Sequence, residues 1–288
     1  MTFIYPNGKR QALTFSFDDN QDFDKRLIEI FDKYGMKCTF NVNSGTLGGT
    51  ADENPDGNIY IKPEEVKEVY KNHEVAVHGV EHKFIASLPD VLIINEFLED
   101  RKALEALTGK LVQGCAYAYG RHNEHIMNIL RTVGIKYARG VEATNDFFPP
   151  QDFLDWCPTC HQAASNIMEL GERFLNCPGY IDLPLMYVWG HSYEFGRSKD
   201  WSGIEKFCEL MSGKDYIWYA TNMEIYEYIN ATRTLEYSAD GKKVYNPTLI
   251  EVFYKTPDGF SSIKPGETKT VKQYKKIVFL IFLRNFIR

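Results

Sequence analysis

The chain has 288 residues, of which 44% are hydrophobic and 25% are charged, which is typical of a globular protein with a sizeable core. Its formal net charge is −6 and it has no basic stripe, so a nucleic-acid partner is not favoured. Six cysteines in a chain of this size are expected to be reduced and mostly buried, not a disulfide framework.

Strand-like and helix-like segments alternate along the first 232 residues. The pattern predicts strands at 12–17, 37–42, 74–78, 112–119, 136–140, 185–190 and 215–220. It predicts helices at 22–34, 64–72, 92–107, 124–133, 164–174, 203–211 and 223–230, with Gly35 and Gly109 as C-terminal caps. A β/α repeat counted about seven times indicates a parallel sheet, open or closed into a barrel.

The remaining residues, 233–288, read as short β-like pieces separated by Gly-containing turns. We interpret them as an appended β-rich segment that covers one end of a barrel formed by residues 1–232. The apolar tail 277–288 is too short to span a bilayer; a buried strand is favoured over a membrane contact, and a disordered terminus is the alternative. The first ten residues lack an apolar run of signal-peptide length, which predicts a cytoplasmic protein unless a leader has been trimmed. The sequence leaves the oligomeric state open.

Three groups of polar residues follow predicted strands, where α/β folds place their active sites. Asp18 and Asp19 follow the first strand; helix capping is the structural alternative for the second carboxylate. His78 and His82 follow the third strand at a spacing that lets two imidazoles chelate one cation, although two ordinary histidines would look the same. His191 follows a late apolar strand and is a candidate general acid, with a structural histidine as the alternative.

These motifs, in this order, resemble those of the polysaccharide deacetylase family (NodB-homology domain, carbohydrate esterase family four). Residues 116–120 (Ala-Tyr-Ala-Tyr-Gly) are similar to its Tyr-Pro-Tyr-Gly motif, and the resemblance covers about residues 10–230. It implies a distorted (β/α) barrel, often of seven strands. It also implies that Asp18 is the general base and His191 the general acid, that a backbone N–H near Tyr119 stabilises the oxyanion, and that the metal ligands are Asp19, His78 and His82.

The chain departs from the family pattern at three positions. Ala116 stands where the third motif commonly has the Arg that fixes the catalytic Asp, and Ala118 stands in place of its Pro. Arg139, at the end of the following strand, is our candidate for orienting Asp18, with a plain surface cation as an equal alternative. Trp189 replaces a Leu of the fifth motif, which should reshape the acetyl pocket.

Two further patterns lie in the 144–160 loop. Asp152-Phe-Leu-Asp155-Trp156 has the spacing of the family's fourth motif, which makes Trp156 a candidate substrate-binding residue together with Tyr119 and Trp189; the alternative is a turn followed by an aromatic plug. Cys157-Pro-Thr-Cys160-His161 matches the pattern of c-type haem attachment. Without an indicated axial partner we regard that match as coincidence, with His161 lining the groove near Trp156.

The resemblance predicts a metal-dependent hydrolase that removes N- or O-linked acetyl groups from a polysaccharide or oligosaccharide. Its cofactor would be one divalent ion, Zn²⁺ in the first place, with Co²⁺ or Ni²⁺ as alternatives. The alternative enzyme is an amidohydrolase of a small N-acyl or cyclic amide metabolite, which an intracellular location would favour. A barrel that binds glycans without turnover ranks last, because Asp18 and all three candidate ligands are present.

Overall fold

The computed structural model describes residues 1–52 and 57–271, so the predicted strand at 277–288 lies outside the described residues. The strands are β1 (Phe3–Ile4), β2 (Gln11–Asp18), β3 (Cys38–Val42), β4 (Glu74–Val77), β5 (Gly114–Ala116), β6 (Tyr137–Arg139), β7 (Cys160–His161), β8 (Leu185–His191), β9 (Ile217–Tyr219), β10 (Glu236–Tyr237), β11 (Lys243–Tyr245), β12 (Val252–Thr256), β13 (Gly259–Ile263) and β14 (Thr268–Thr270). The α-helices are α1 (Asp24–Tyr34), α2 (Val66–Val69), α3 (Asp90–Thr108), α4 (Glu124–Thr132), α5 (Ile167–Leu175), α6 (Ser192–Ser198), α7 (Ser202–Met211) and α8 (Asn222–Thr234).

The main sheet has the strand order β6-β5-β4-β3-β2-β8-β7, and every pairing in it is parallel. β9 adds an eighth strand by pairing with the first half of β2. All eight residues of β2 are buried, as expected for a central strand covered on both faces. Phe15 and Phe17 pack outward on Phe31 of α1; because side chains alternate along a strand, Ser16 and Asp18 point to the interior. The barrel interior is therefore polar at the end of β2.

The two edges of this sheet are joined by residues 153–161. Trp156 forms a parallel bridge with Arg139 of β6, and the backbone N–H of Thr159 donates to the Tyr187 carbonyl of β8 at 2.8 Å. The sheet is therefore curled, and the predicted distorted barrel of about seven parallel strands is confirmed. Part of the predicted 144–160 loop closes the sheet, although no apolar alternation marks it as a strand.

Two predicted elements differ markedly in extent from the structure. The strand predicted at 112–119 ends at Ala116 and continues as a 3₁₀ turn at Ala118–Gly120. The helix predicted at 64–72 is a 3₁₀ turn followed by the four residues of α2; the chain leaves helical geometry at Tyr70, whose ring packs on Phe40 with centroids 4.8 Å apart. Helix α6, directly after β8, was not predicted.

The C-terminal β strands form two small antiparallel sheets, β1-β12-β13 and β10-β11-β14. The N-terminal strand β1 joins the first of them, so the two ends of the described chain are tied together. Tyr228 of α8 connects this region to the barrel, since its hydroxyl accepts a hydrogen bond from the Phe253 N–H at 3.0 Å. Its ring belongs to the same core cluster as Ala12 and Leu185 at the amino ends of β2 and β8. Within the described ranges, no helix combines the length and apolar character needed to cross a bilayer.

Candidate active site

The register of the parallel strands brings the candidate residues to one edge of the sheet. Asp18, the last residue of β2, lies opposite Asn41 on β3 and opposite His191 on β8. His78 follows the last residue of β4, and Arg139 ends β6. Carboxyl ends of parallel strands share one edge, which explains how residues distant in sequence meet.

Asp19, His78 and His82 form a compact group of potential metal ligands. Asp19 Oδ1 lies 3.6 Å from His78 Nε2 and 3.6 Å from His82 Nε2, and one ligand atom from each residue lies within 4.8 Å of the other two. His78 is buried, whereas Asp19 and His82 are partly exposed. Two imidazoles and one carboxylate are a donor set suited to a Zn²⁺-like ion with open positions for water and substrate. These residues fit the metal that the family resemblance implies.

The imidazole of His78 is oriented by groups outside the ligand set. Its Nδ1 lies 2.9 Å from the carbonyl oxygen of Ala116, so Nδ1 carries the proton and Nε2 presents its lone pair toward Asp19, the arrangement usual for metal-binding histidines. The Asn43 amide donates to the His78 carbonyl at 2.8 Å. Asn43 carries no sequence motif of its own and was not predicted.

Asp100, in the middle of α3, also holds this segment. Its Oδ2 accepts the His78 N–H at 3.0 Å and its Oδ1 accepts the Ser44 N–H at 2.7 Å. Burial raises the pKa of Asp100 to about 6, although the hydrogen bonds from Ser44 and His78 oppose that rise. A buried helix carboxylate thus fixes the backbone at the candidate metal group, which helix periodicity alone could not indicate.

Asp18 forms a buried ion pair with Arg139. The guanidinium Nη2 contacts Asp18 Oδ2, with side-chain exposures of 0% for Arg139 and 3% for Asp18, and Asn41 Nδ2 donates to Asp18 Oδ1 at 2.8 Å. Burial alone would raise the pKa of Asp18, but Arg139, His78 and His191 outweigh it and lower the pKa to about 2. Arg139 therefore lies where the sequence analysis placed its candidate, inside the site and not on the surface.

His191 lies on the other side of the two carboxylates. Its Nε2 is 4.0 Å from Asp18 Oδ2 and 3.9 Å from Asp19 Oδ2, and its Nδ1 is 2.8 Å from Glu194 Oε1. Burial lowers the pKa of His191, but the hydrogen bond to Glu194 and the charges of Asp18 and Asp19 outweigh it and raise the pKa. Glu194 was missed by the sequence analysis, because it lies on the unpredicted helix α6; the three-residue spacing from His191 is the signal that could have found it.

Several backbone torsions at this edge are unfavourable. Asp19, Asn20, His82 and Tyr119 have positive φ angles of 76°, 37°, 53° and 60°. Such conformations are costly for residues other than glycine and concentrate at active sites and ligand-binding turns. The strain therefore coincides with the candidate ligands and with the turn beside them.

The three residues predicted to bind substrate lie in different environments. Tyr119 is 58% exposed, and its ring contacts the His82 ring edge-on at 4.6 Å. Trp189 is half-buried, and its ring is covered by the Arg139 guanidinium at 4.4 Å. Trp156 is 2% exposed and packs on Tyr137. It is inaccessible to a ligand from solvent, which corrects the expectation for Trp156 and matches the aromatic-plug alternative.

The Asp-x-x-Asp-Trp and Cys-x-x-Cys-His patterns of the 144–160 loop contribute no residue to the ligand group Asp19, His78 and His82. Asp155 of the Asp-x-x-Asp-Trp pattern contacts His122 Nε2 at 3.0 Å, while the partner of His191 is Glu194. All six cysteines are free thiols, as expected, including Cys157 and Cys160. The His161 ring lies edge-on to Trp189 at 4.7 Å.

Comparison with known proteins agrees with this geometry. Residues 5–138 match the family model described as "Polysaccharide deacetylase". The structure is similar to that of a "putative polysaccharide deacetylase" from Mycobacterium smegmatis, with 17% identity, coverage of 81% of this chain and 94% of that chain, and a TM-score of 0.58. It is also similar to the Xyl-CE4 domain of a multidomain xylanase from the hindgut metagenome of Trinervitermes trinervoides, with 16% identity, coverage of 80% and 99%, and a TM-score of 0.51. Among curated proteins no match was found.

The family-model match over residues 5–138 and the shared fold confirm the predicted resemblance to the polysaccharide deacetylase family.

Proposed function

We propose that this protein is a metal-dependent hydrolase that removes N- or O-linked acetyl groups from a polysaccharide or oligosaccharide. The observation that carries the proposal is the convergence of three elements at one sheet edge. They are the ligand group Asp19, His78 and His82, the Asp18–Arg139 ion pair, and His191 within 4.0 Å of the Asp18 carboxylate. The family-model match over residues 5–138 suggests an acetylated carbohydrate as the substrate class.

The ligand group would hold one divalent ion, with Zn²⁺ as the first candidate and Co²⁺ or Ni²⁺ as alternatives. Such an ion, when bound, supplies Lewis-acid polarisation of the acetyl carbonyl and of the attacking water. Asp18 stays ionised through the neutral range because Arg139 and the neighbouring histidines hold its pKa at about 2. So weak a base takes a proton effectively only from a water whose acidity has been raised, and we therefore expect strict metal dependence.

His191 would complete the reaction as the proton donor. Its Nδ1 is engaged by Glu194 at 2.8 Å, so its Nε2 is the nitrogen that faces the reacting groups and can protonate the departing amine or alkoxide. The strained turn at Tyr119 would bring a backbone N–H toward the developing oxyanion. Tyr119 and Trp189 would then contact the substrate, the second as a wall of the acetyl pocket.

An acetate-release assay tests this proposal. Protein loaded with Zn²⁺ or Co²⁺ is incubated with chitooligosaccharides, peptidoglycan fragments, acetylated xylan and small N-acyl or cyclic amide compounds. Acetate is measured for the acetylated compounds, and the carboxylic acid product is measured for the other N-acyl compounds and for the cyclic amides, which open without releasing acetate. We expect acetate from at least one saccharide, and we expect Asp18→Asn to abolish release while the metal stays bound. His125→Gln is the matched control, because His125 pairs with Asp90 at 2.7 Å on an exposed surface. Turnover of the small amides alone would favour the amidohydrolase alternative.

A further inference from the structure

The Glu194 carboxylate contacts three side chains, which together with Glu194 we call the Glu194 cluster: it is hydrogen-bonded to His191 and Gln162, and it faces His161 at ion-pair distance. Its Oε1 lies 2.8 Å from His191 Nδ1 and 3.4 Å from His161 Nε2, and its Oε2 accepts from Gln162 Nε2 at 2.6 Å. We propose that His161 and Gln162 are positioning residues that hold Glu194 and, through it, the proton-donating imidazole of His191. This inference rests on the proposed function, in which His191 protonates the leaving group.

The tautomer of His161 favours a hydrogen-bonding role. Its Nδ1 accepts a hydrogen bond from the Ala163 N–H at 3.2 Å, so a neutral His161 carries its proton on Nε2. That proton points toward Glu194. One ligand atom each from His161, His191 and Glu194 also lies within 4.8 Å of the others, but a metal would need the Nε2 lone pair that this tautomer lacks. The Nε2–H of His161 therefore faces Glu194 Oε1, at 3.4 Å.

The positions of His161 and Gln162 are fixed by the closure of the barrel. β7 pairs with β8 so that His161 lies opposite Trp189, and the Gln162 N–H donates to the Trp189 carbonyl at 2.7 Å. The Gln162 side chain crosses directly over Gly190, where a Cβ would lie 2.2 Å from Gln162 Cγ. His161 thus lies in the sheet and Gln162 is anchored to it by a backbone hydrogen bond, whereas Glu194 lies on the seven-residue helix α6.

Holding the carboxylate has a specific consequence for His191. A glutamate side chain has several rotatable bonds and loses much conformational freedom when it is ordered. His161 and Gln162 restrict it to the position that receives His191 Nδ1–H, which directs His191 Nε2 toward Asp18 and Asp19. Loss of a donor should therefore weaken proton donation to the leaving group, while metal binding and substrate binding remain.

A leaving-group series measures this effect. The metal-loaded protein hydrolyses acetyl compounds that range from p-nitrophenyl acetate, whose phenolate departs without a proton, to acetylated sugar hydroxyls and acetamido sugars. General acid catalysis accelerates such reactions on the order of 10²–10⁴-fold. If misplacement of His191 removes part of this acceleration, His161→Leu should lower kcat by about tenfold or more for the basic leaving groups. We expect no change for p-nitrophenyl acetate, and an unchanged KM throughout.

Three further variants make the test specific. His161→Gln keeps an N–H donor and should restore most of the activity, and Gln162→Leu removes the donor at the other carboxylate oxygen and should repeat the effect of His161→Leu. His125→Leu, which breaks an exposed imidazole–carboxylate pair, is the control. An equal loss across the whole series, or none, would overturn the inference.

A separate measurement keeps this inference distinct from the proposed function. A wild-type protein that is inert toward every member of the series would overturn the proposed function. The ¹⁵N chemical shifts of the His161 ring then test the inference by themselves, since they report which nitrogen carries the proton. A proton on His161 Nε2, with an Nε2 chemical shift that changes in Glu194→Ala because the carboxylate acceptor is gone, supports the cluster. A proton on His161 Nδ1 contradicts it.

Discussion

Replacing Arg139 with glutamine would leave the buried Asp18 carboxylate without its cation. The two side chains are 0% and 3% exposed, so little solvent is available to screen the charge. The surroundings lower the pKa of Asp18 from 3.8 to about 2, which corresponds to about 2.4 kcal/mol in favour of the ionised form. Burial is the largest influence on this group and acts in the opposite direction, so the sign of the shift should reverse without Arg139. Breaking a buried pair from one side costs about 3–5 kcal/mol.

We therefore expect Arg139→Gln to lower the free energy of unfolding at pH 7 by about 3 kcal/mol or more. In the wild type, the lowered pKa gives stability that is present above the unfolded-state pKa and lost as pH falls toward about 2. In the variant, a raised pKa makes Asp18 increasingly destabilising as pH rises above about 4. The difference between the two proteins should accordingly be larger at pH 7 than near pH 4.

Urea unfolding of the chelator-treated proteins, followed by circular dichroism at the two pH values, measures this difference. The double variant Asp18→Asn/Arg139→Gln removes the unpaired charge, so its free energy of unfolding should be about 2 kcal/mol higher than that of Arg139→Gln. The electrostatic argument would be refuted by a loss below about 1 kcal/mol that does not depend on pH, together with additive effects of the two substitutions.

Three other substitutions probe the surroundings of the site. Asp100→Ala removes the carboxylate that accepts the His78 N–H. We expect Zn²⁺ affinity, measured by competition with a chromophoric chelator, to fall about 10–100-fold, as is typical when a group that holds a metal ligand is lost. Wild-type affinity would contradict this. Burial raises the pKa of Asp24 from 3.8 to about 7, so its carboxyl group destabilises the fold increasingly as pH rises from about 4 to 7. We expect Asp24→Asn to raise the free energy of unfolding, measured in urea, by up to about 4 kcal/mol at pH 8 but by little near pH 4. Gly190→Ala places a Cβ 2.2 Å from Gln162 Cγ and should lower kcat on acetamido sugars without changing KM or metal content; unchanged kcat would show that Gln162 can move freely.

The parts of the site that could be predicted from the sequence are those that follow apolar strands. Asp18, His78 and His191 each stand at or directly after the end of a buried β run, and in a parallel sheet those ends meet at one edge. Arg139 became a candidate partner for Asp18 because the family resemblance implies an Arg that Ala116 replaces and because Arg139 ends a predicted strand; the ion pair is observed. The alternation of strands and helices was sufficient to predict a parallel sheet, open or closed, and the family resemblance added the distorted barrel. The two-residue strand β7 was too short to be recognised.

The supporting residues could not be predicted because their partners are set by tertiary packing. Asp100 lies in the middle of a long helix, and its contact with the His78 N–H depends on how α3 packs on β4. Glu194 lies on α6, whose seven residues are too few to give a helical pattern. Trp156 was misjudged because the bridge to Arg139 turns its ring into the core, and no alternation of apolar residues indicates that bridge.

The central claim is that Asp19, His78 and His82 hold the metal on which acetate release depends. The most direct measurement titrates Zn²⁺ into chelator-stripped protein and follows acetate release from an acetylated oligosaccharide. We expect no release without metal, recovery that saturates near one equivalent of Zn²⁺ per chain, and no recovery in His78→Gln. Acetate release at full rate from the stripped protein, or recovery in His78→Gln equal to that of the wild type, would contradict it.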